Sequence, residues 1–381
     1  MQFTPVLTLL AGAIALAFCG TAAAQEQLIT IGHSAPTSGQ IAHLGKDSEN
    51  GARMAIDEAN AKGPTLDGKK VKFVLMAEDD AADPKQGTAV AQKFVDSKVN
   101  GVIGHLTSGT SIPASKIYSD AGIPQISSAA TNPKYTQQGY KTTFRVVASD
   151  SRLGAVLGKY AVTDLKLKNI AVIDDRSAYG QGLAEQFAKA AKAAGGQIVS
   201  QQYTTEKSVD LNSQLTAIKA KKPDLIFFGG TDAVATPMLR QMKQLGINAK
   251  LMGGDGICTE TMAKLAGDAF ANGQVICAEP GGIQEGQKRQ MDTFRQQYKQ
   301  KFGQDVVIYA PYTYDATMAM ISAIQQAGSA DPAKYLPLLA KIKHPGVTGP
   351  VAFDAHGDII DGSLTLYALA DQQRKLISVT K

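Results

Sequence analysis

Two stretches of this chain put hydrogen-bonding groups where an α/β protein meets a ligand. Gly104-His105-Leu106-Thr107-Ser108-Gly109-Thr110-Ser111 follows a short apolar run and opens a segment of helical period. Ser127-Ser128-Ala129-Ala130-Thr131-Asn132-Pro133 follows the next apolar run, Ile123 to Ile126. Both bring hydroxyls and backbone N–H groups to the carboxyl end of a strand, the edge at which such folds bind ligands. A helix N-terminus there favours an anion, and neutral donors suit the carboxylate of a small zwitterion better than a polyphosphate. Ordinary Ser/Thr capping would put the same residues in either stretch taken alone. A third stretch, Gly253-Gly254-Asp255-Gly256, offers the opposite polarity. Glycines on both sides let the backbone expose the Asp255 carboxylate, which could receive an ammonium. The alternative is that Asp255 caps the helix beginning near Thr259. Neutral anion donors in one half and a carboxylate in the other make an amino-acid clamp.

The signatures of other chemistry are missing. There is no G-x-x-x-x-G-K-[ST] and no G-x-S-x-G, and Gly180-Gln181-Gly182 lacks the third glycine of a dinucleotide fingerprint. The His residues, at 33, 43, 105, 344 and 356, have no metal-ligand spacing. Asp79-Asp80 and Asp174-Asp175 close strands, and the expectation is that they cap the next helix or face solvent. No metal and no cofactor is expected.

The elements that carry these groups alternate. Strands are expected at Leu28 to Gly32, Val71 to Met76, Gly101 to Gly104 and Ile123 to Ile126. Helices are expected at Lys46 to Ala61, Pro84 to Ser97 (opened by Asp83-Pro84) and Ser111 to Ala121. The rhythm restarts after Asp150. Helices are then expected at 151–166, Tyr179 to Ala194, Leu211 to Ala220 and Ala233 to Leu245. Strands fall between them at Asn169 to Ile173, Gln197 to Tyr203, Asp224 to Phe228 and Lys250 to Met252. Strands alternating with helices imply parallel sheets covered on both faces, hence an α/β fold. Residues 286–343 read as mostly helical, with short late strands near Val351, Leu364 and Leu376. Such a tail could complete both halves by crossing back between them.

Composition agrees with a globular chain. The 381 residues are 44% hydrophobic and 19% charged, and the net charge of +5 is scattered rather than gathered into a nucleic-acid footprint. Length alone suggests about two or three domains at ~150 residues each. The absence of Trp counts weakly against a carbohydrate site, since sugars are often held on flat aromatic faces. Residues 1–24 contain no charged side chain; an apolar run from Val6 to Phe18 is followed by Thr21-Ala22-Ala23-Ala24. This reads as a secretory leader cleaved after Ala24, although its start lacks Lys or Arg. The alternatives are a buried N-terminal helix, or a lipidated Cys19 preceded by the bulky Phe18. Cleavage would leave Cys258 and Cys277 in an oxidising compartment, as a disulfide or as two buried thiols.

Four of these stretches carry a resemblance. EDDAADPKQGTAVAQKFV, VIGHLTSGTSIPASKIYSDAGIPQISSAATNP, DDRSAYGQGLAEQF and LMGGDG resemble the Leu/Ile/Val-binding protein family, type I periplasmic solute-binding proteins that feed ABC importers. The likeness runs from about Leu28 to the C-terminus. It implies two Rossmann-like lobes with parallel central sheets, joined by three crossovers and closing by hinge motion. Residues 25–148 plus 280–349 would form lobe 1, and 149–279 plus 350–381 lobe 2. By similarity the ligand carboxylate falls on Ser108, Thr131 and the backbone at Ala129. The ammonium falls on Asp255, and an aromatic wall on Tyr179. The chain departs from the family at several positions. Asp255 stands where Glu is usual, and Leu44 and Thr231 stand where pocket tyrosines are usual. Ala82 and Thr107 replace a disulfide in the first lobe. Asp232, next to Thr231, would select a polar side chain or cap the next helix.

The resemblance implies a monomeric periplasmic protein that binds an α-amino acid, branched-chain or otherwise small and neutral, and hands it to membrane permease subunits. Three rivals remain: the same fold holding a γ-amino acid, an amide or an aromatic carboxylate; a sensor that presents ligand to a membrane receptor; and a secreted α/β enzyme. An aromatic acid would leave Asp255 without a partner.

Overall fold

The computed structural model describes residues 1–2, 26–281, 287–360 and 362–380. Most of the expected leader, with Cys19, lies outside the described residues. Among the described residues no helix is long and apolar enough to cross a membrane.

The first series runs β1 (Gln27–Ala35), α1 (Ala42–Ala61), β2 (Thr65–Leu66), β3 (Lys69–Asp79) and α2 (Pro84–Asp96), then β4 (Gly101–Gly104), α3 (Ser108–Asp120), β5 (Gln125–Ser127), α4 (Lys134–Gln137) and β6 (Thr143–Arg145). Its sheet has the order β2-β3-β1-β4-β5-β6 and is parallel apart from the short β2. Every residue of Gly101-Val102-Ile103-Gly104 is buried, as both-face cover by helices requires. Asp83 starts α2 by accepting from Lys85 N and Gln86 N, with Pro84 at the first helical position.

The second series begins with α5 (Asp150–Lys159), extended by a wider turn at Tyr160–Asp164. It continues with β7 (Asn169–Asp174), α6 (Ala178–Ala193), β8 (Gln197–Tyr203), α7 (Asn212–Lys219) and β9 (Leu225–Gly229). After α8 (Asp232–Gln244) and β10 (Lys250–Gly253) comes a 3₁₀ turn at Asp255–Ile257, then α9 (Glu260–Ala266) and β11 (Val275–Pro280). The chain then returns to the first lobe. α10 (Lys288–Phe302), α11 (Ala310–Ala327), α12 (Pro332–Leu339) and the hairpin β12 (His344–Pro345) with β13 (Pro350–Val351) follow. Tyr312, Met320, Tyr335, Val351 and Phe353 share one core with Ile29, Ile31, Phe73 and Ile126. Finally β14 (Leu364–Ala370) and β15 (Gln373–Thr380) rejoin the second sheet, whose order is β15-β14-β11-β10-β9-β7-β8.

The structure is therefore an α/β fold of two lobes with parallel-rich sheets. Alternation alone implied wholly parallel sheets; the second instead ends in antiparallel pairing, β11 to β14 and β14 to β15. β6 and β11 carry no expectation from the sequence reading. Three positions differ in detail. α3 starts at Ser108 rather than Ser111, because Thr107 is its cap and accepts from Thr110 N. The strand-end acids do not cap helices: Asp80 and Asp175 are buried and organise their own loops, while Asp83 and Ser177 do the capping. Asp232 does not cap α8; its side chain accepts from Thr259 Oγ1 (2.7 Å) and bonds His43 Nε2 (2.8 Å).

Candidate functional site

The carboxyl ends of β1, β4, β5, β7, β9 and β10 face one another across a cleft of about 360 Å³. Leu44, Ser108, Ala129, Tyr179, Thr231 and Asp255 all line it. Thr131 does not. It lies fully buried behind the wall, where its hydroxyl approaches the Asp150 carboxyl without a well-formed hydrogen bond.

One wall is neutral. The N-terminus of α3 opens onto the cleft at Ser108 and Gly109, and the helix dipole makes this end weakly positive. Ser108 Oγ accepts from Asn132 N (3.2 Å), tying the two donor loops together. The Ser127 hydroxyl accepts from Ala130 N (2.9 Å) and donates to His105 O (2.8 Å), so it shapes the loop from within. Ser128 likewise turns away, onto Thr313 Oγ1 (2.8 Å). Beneath them the buried Arg145 donates to Asn132 O (2.9 Å), Ala130 O (3.2 Å) and Asp358 (2.5 Å). A guanidinium offers several donors in a fixed plane, which lets one residue of β6 fix the whole loop.

The other wall is acidic. Asp255 is 1% exposed. Tyr179 Oη donates to its Oδ1 (2.9 Å) and Tyr309 Oη to its Oδ2 (2.8 Å). Gly256 N in turn donates to Tyr179 Oη (3.0 Å). The flanking glycines make room for that ring: a Cβ on Gly254 would stand 2.7 Å from Tyr179 Oη, and one on Gly256 2.9 Å from Tyr179 Cε1. Asp255 does not cap α9, because Thr259 does, accepting from Met262 N. Burial pushes the Asp255 carboxyl up to about 6, although the two tyrosine bonds favour its charged form. Asp150 lies close by. It is fully buried, and neither of its carboxyl oxygens has a hydrogen-bond partner. Burial first, and then the charge of Asp255, raise it well above the usual carboxylate range. Of the two acids only Asp255 lines the cleft, so it is the one that an ammonium can reach and complete.

Asp150, Tyr309, Asp47 and Arg145 lie at or behind this site, and the sequence pattern does not single them out. Asp47 of α1 accepts from the backbone N–H of Val307, Ile308, Tyr309 and Ala310, and so caps α11 from another helix. That cap places Tyr309. No local pattern shows it, since the partners are far apart in the chain. Cys258 and Cys277 are bridged, with Cα atoms 5.3 Å apart. Among the described residues there is no group of His, Cys, Asp and Glu able to hold a metal ion.

Two α/β lobes around a cleft, with an anion-favouring helix end facing a buried acid, define a two-lobe solute-binding protein. A sequence profile described as periplasmic binding protein matches residues 28–373, and the chain belongs to that family. It is 32% identical to the leucine-, isoleucine-, valine-, threonine-, and alanine-binding protein of Pseudomonas aeruginosa, over 96% of each chain. A leucine-binding protein from Thermotoga maritima superposes with a TM-score of 0.84 at 26% identity, covering 92% of this chain and 98% of its own. A branched-chain amino acid transporter substrate-binding protein from Streptococcus pneumoniae, solved in complex with isoleucine, gives a TM-score of 0.81 at 25% identity, over 93% and 99% of the two chains.

Proposed function

We propose that this protein is the periplasmic component of an ABC importer and captures an α-amino acid with a branched-chain or other small neutral side chain. The observation that carries the reading is Asp255, buried and held by two tyrosines opposite the N-terminus of α3. The α-carboxylate meets Ser108, Ala129 and the end of α3. The ammonium meets Asp255, with Asp150 beyond it. Leu44 and Thr231 border the side-chain space, where smaller groups than tyrosine leave room. The names of the relatives support this substrate class. The protein reaches the periplasm through its leader, binds as a monomer and delivers to membrane permease subunits.

Thermal unfolding against the proteinogenic amino acids, γ-aminobutyrate and benzoate tests the reading. A true ligand at 100 times its Kd adds about 2.7 kcal/mol to stability. Leucine, isoleucine or valine should raise the midpoint and benzoate should not. No shift with any amino acid overturns the proposal.

A further inference from the structure

We infer that His43 and Asp232 form a latch that closes the two lobes over the ligand and adds to its retention. The inference rests on the amino-acid reading only for its ligand arm. His43 lies on α1 of the first lobe, one residue before Leu44; Asp232 opens α8 of the second, one residue after Thr231. Both neighbours line the cleft, so the pair sits directly outside the ligand space. His43 Nε2 donates to Asp232 Oδ2 (2.8 Å), and Thr259 Oγ1 donates to the same oxygen (2.7 Å). Asp232 is 3% exposed and His43 29%. Asp232 Oδ1 has no partner. The acid is thus anchored to its own lobe by Thr259, while its other connection crosses to the opposite lobe. Opening the cleft parts His43 from Asp232 and leaves the Thr259 bond in place.

The surroundings leave His43 as the group that answers. Asp47, on the same helix, is taken up by the backbone of residues 307–310. From the second lobe, Asp232, Arg240, Gln241 and Thr261 border the same recess, joined by Gln40 from the first. Arg240, its one other cation, bonds the Leu265 carbonyl. Burial opposes protonation of His43, but the bond to Asp232 and the charges of Asp232 and Asp47 outweigh it and raise its pKa. The sign follows from linkage. The closed form holds the proton more tightly than the open form, where His43 has its ordinary value of about 6.5. The latch is therefore complete below that value and is lost as pH rises through the higher closed-form value.

Two measurements on wild type and His43→Gln decide it. The first is the Kd for L-leucine by calorimetry between pH 6.5 and 8.5, a range in which leucine itself does not titrate. Wild type should bind progressively more weakly across it, because the proton that completes the latch is lost as pH rises. His43→Gln should lack this weakening with rising pH and match the wild-type value at pH 8.5. The second needs no ligand: small-angle scattering of the free protein. Wild type should be more compact at pH 6.5 than at pH 8.5, and His43→Gln should not change. Identical pH profiles for the two proteins in either measurement overturn the latch. Failure of wild type to bind leucine at any pH counts against the amino-acid reading, and scattering then decides the latch alone.

Discussion

Both lobes deliver their site loops from the carboxyl ends of parallel strands, β4 in the first and β10 in the second, but hold them by opposite means. In the first lobe a buried polar network does the work. His105 bonds Asp80 through Nδ1 (2.8 Å) and Tyr118 through Nε2 (2.9 Å), while its carbonyl accepts from Ser111 and Ser127. In the second lobe a covalent link does it. Cys258 closes the turn that begins at Asp255, donating its N–H to Asp255 O (2.9 Å), and is bridged to Cys277. Cys277 lies on β11, in register with Gly253 of β10. The surroundings explain the difference. A loop of neutral donors can share its hydrogen bonds with a network beneath it. Ile257 and Cys258 of the turn pack with Met262 and Leu369 in an apolar core in which unpaired polar groups would be costly. A disulfide fixes that turn without adding polarity.

The largest effect that bears on this contrast is the loss of the acid itself. Asp255→Ala should weaken leucine binding by about 2–5 kcal/mol, the range for truncating one partner of a buried charge pair. Calorimetry reads the affinity, and a single cooperative thermal transition of the free protein confirms the fold. Wild type should show a milder form of the same loss in acid. Its carboxyl, pushed up to about 6 in the empty cleft, must release a proton to receive an ammonium. Affinity therefore falls as pH drops through about 6, which Asp255→Asn should abolish. Retained affinity in Asp255→Ala would place the ammonium elsewhere and remove the reason for the cross-linked turn.

The next effect belongs to the cross-link. Replacing Cys258 and Cys277 by Ala should lower stability by about 3 kcal/mol on the chain-entropy relation, read by denaturant unfolding. Leucine affinity should fall with it, because the turn carrying Asp255 is freed at one end. If affinity stays at the wild-type value, the disulfide stabilises the lobe without positioning the acid.

The pattern of the chain carries much of this architecture. Alternating periods announce β4, β7, β9 and most of the helices, because buried parallel strands and amphipathic helices write themselves locally. Ser108, Tyr179 and Asp255 stand at strand or helix ends, where a ligand in an α/β fold is expected. What stays hidden is long-range. Tyr309 reaches Asp255 only because Asp47, on α1, caps α11. Asp150 reads as an ordinary helix start until burial strips it of partners. Asp232 looks like a helix cap until His43 arrives from the other lobe. Each of these needs two distant segments in one place, and a period of 2 or 3.6 reports only on neighbours.

The smallest predicted effect tests the neutral wall. Ser108→Ala removes one hydroxyl from the end of α3 and leaves the helix terminus in place, because Thr107 is the residue that caps it. A hydrogen bond to a charged group has a net worth of about 1.5–3 kcal/mol, so leucine affinity should fall roughly tenfold to a hundredfold. Asn132 N loses its partner in the same substitution, which should cost the free protein a comparable amount of stability. The double variant Ser108→Ala with Asp255→Ala separates the walls. If the ligand bridges them as two independent anchors, the two losses add. If Ser108→Ala alone costs as much as Asp255→Ala, the neutral wall carries the affinity. The acid would then govern selectivity, and the contrast between the lobes would have to be redrawn with the first as the main anchor.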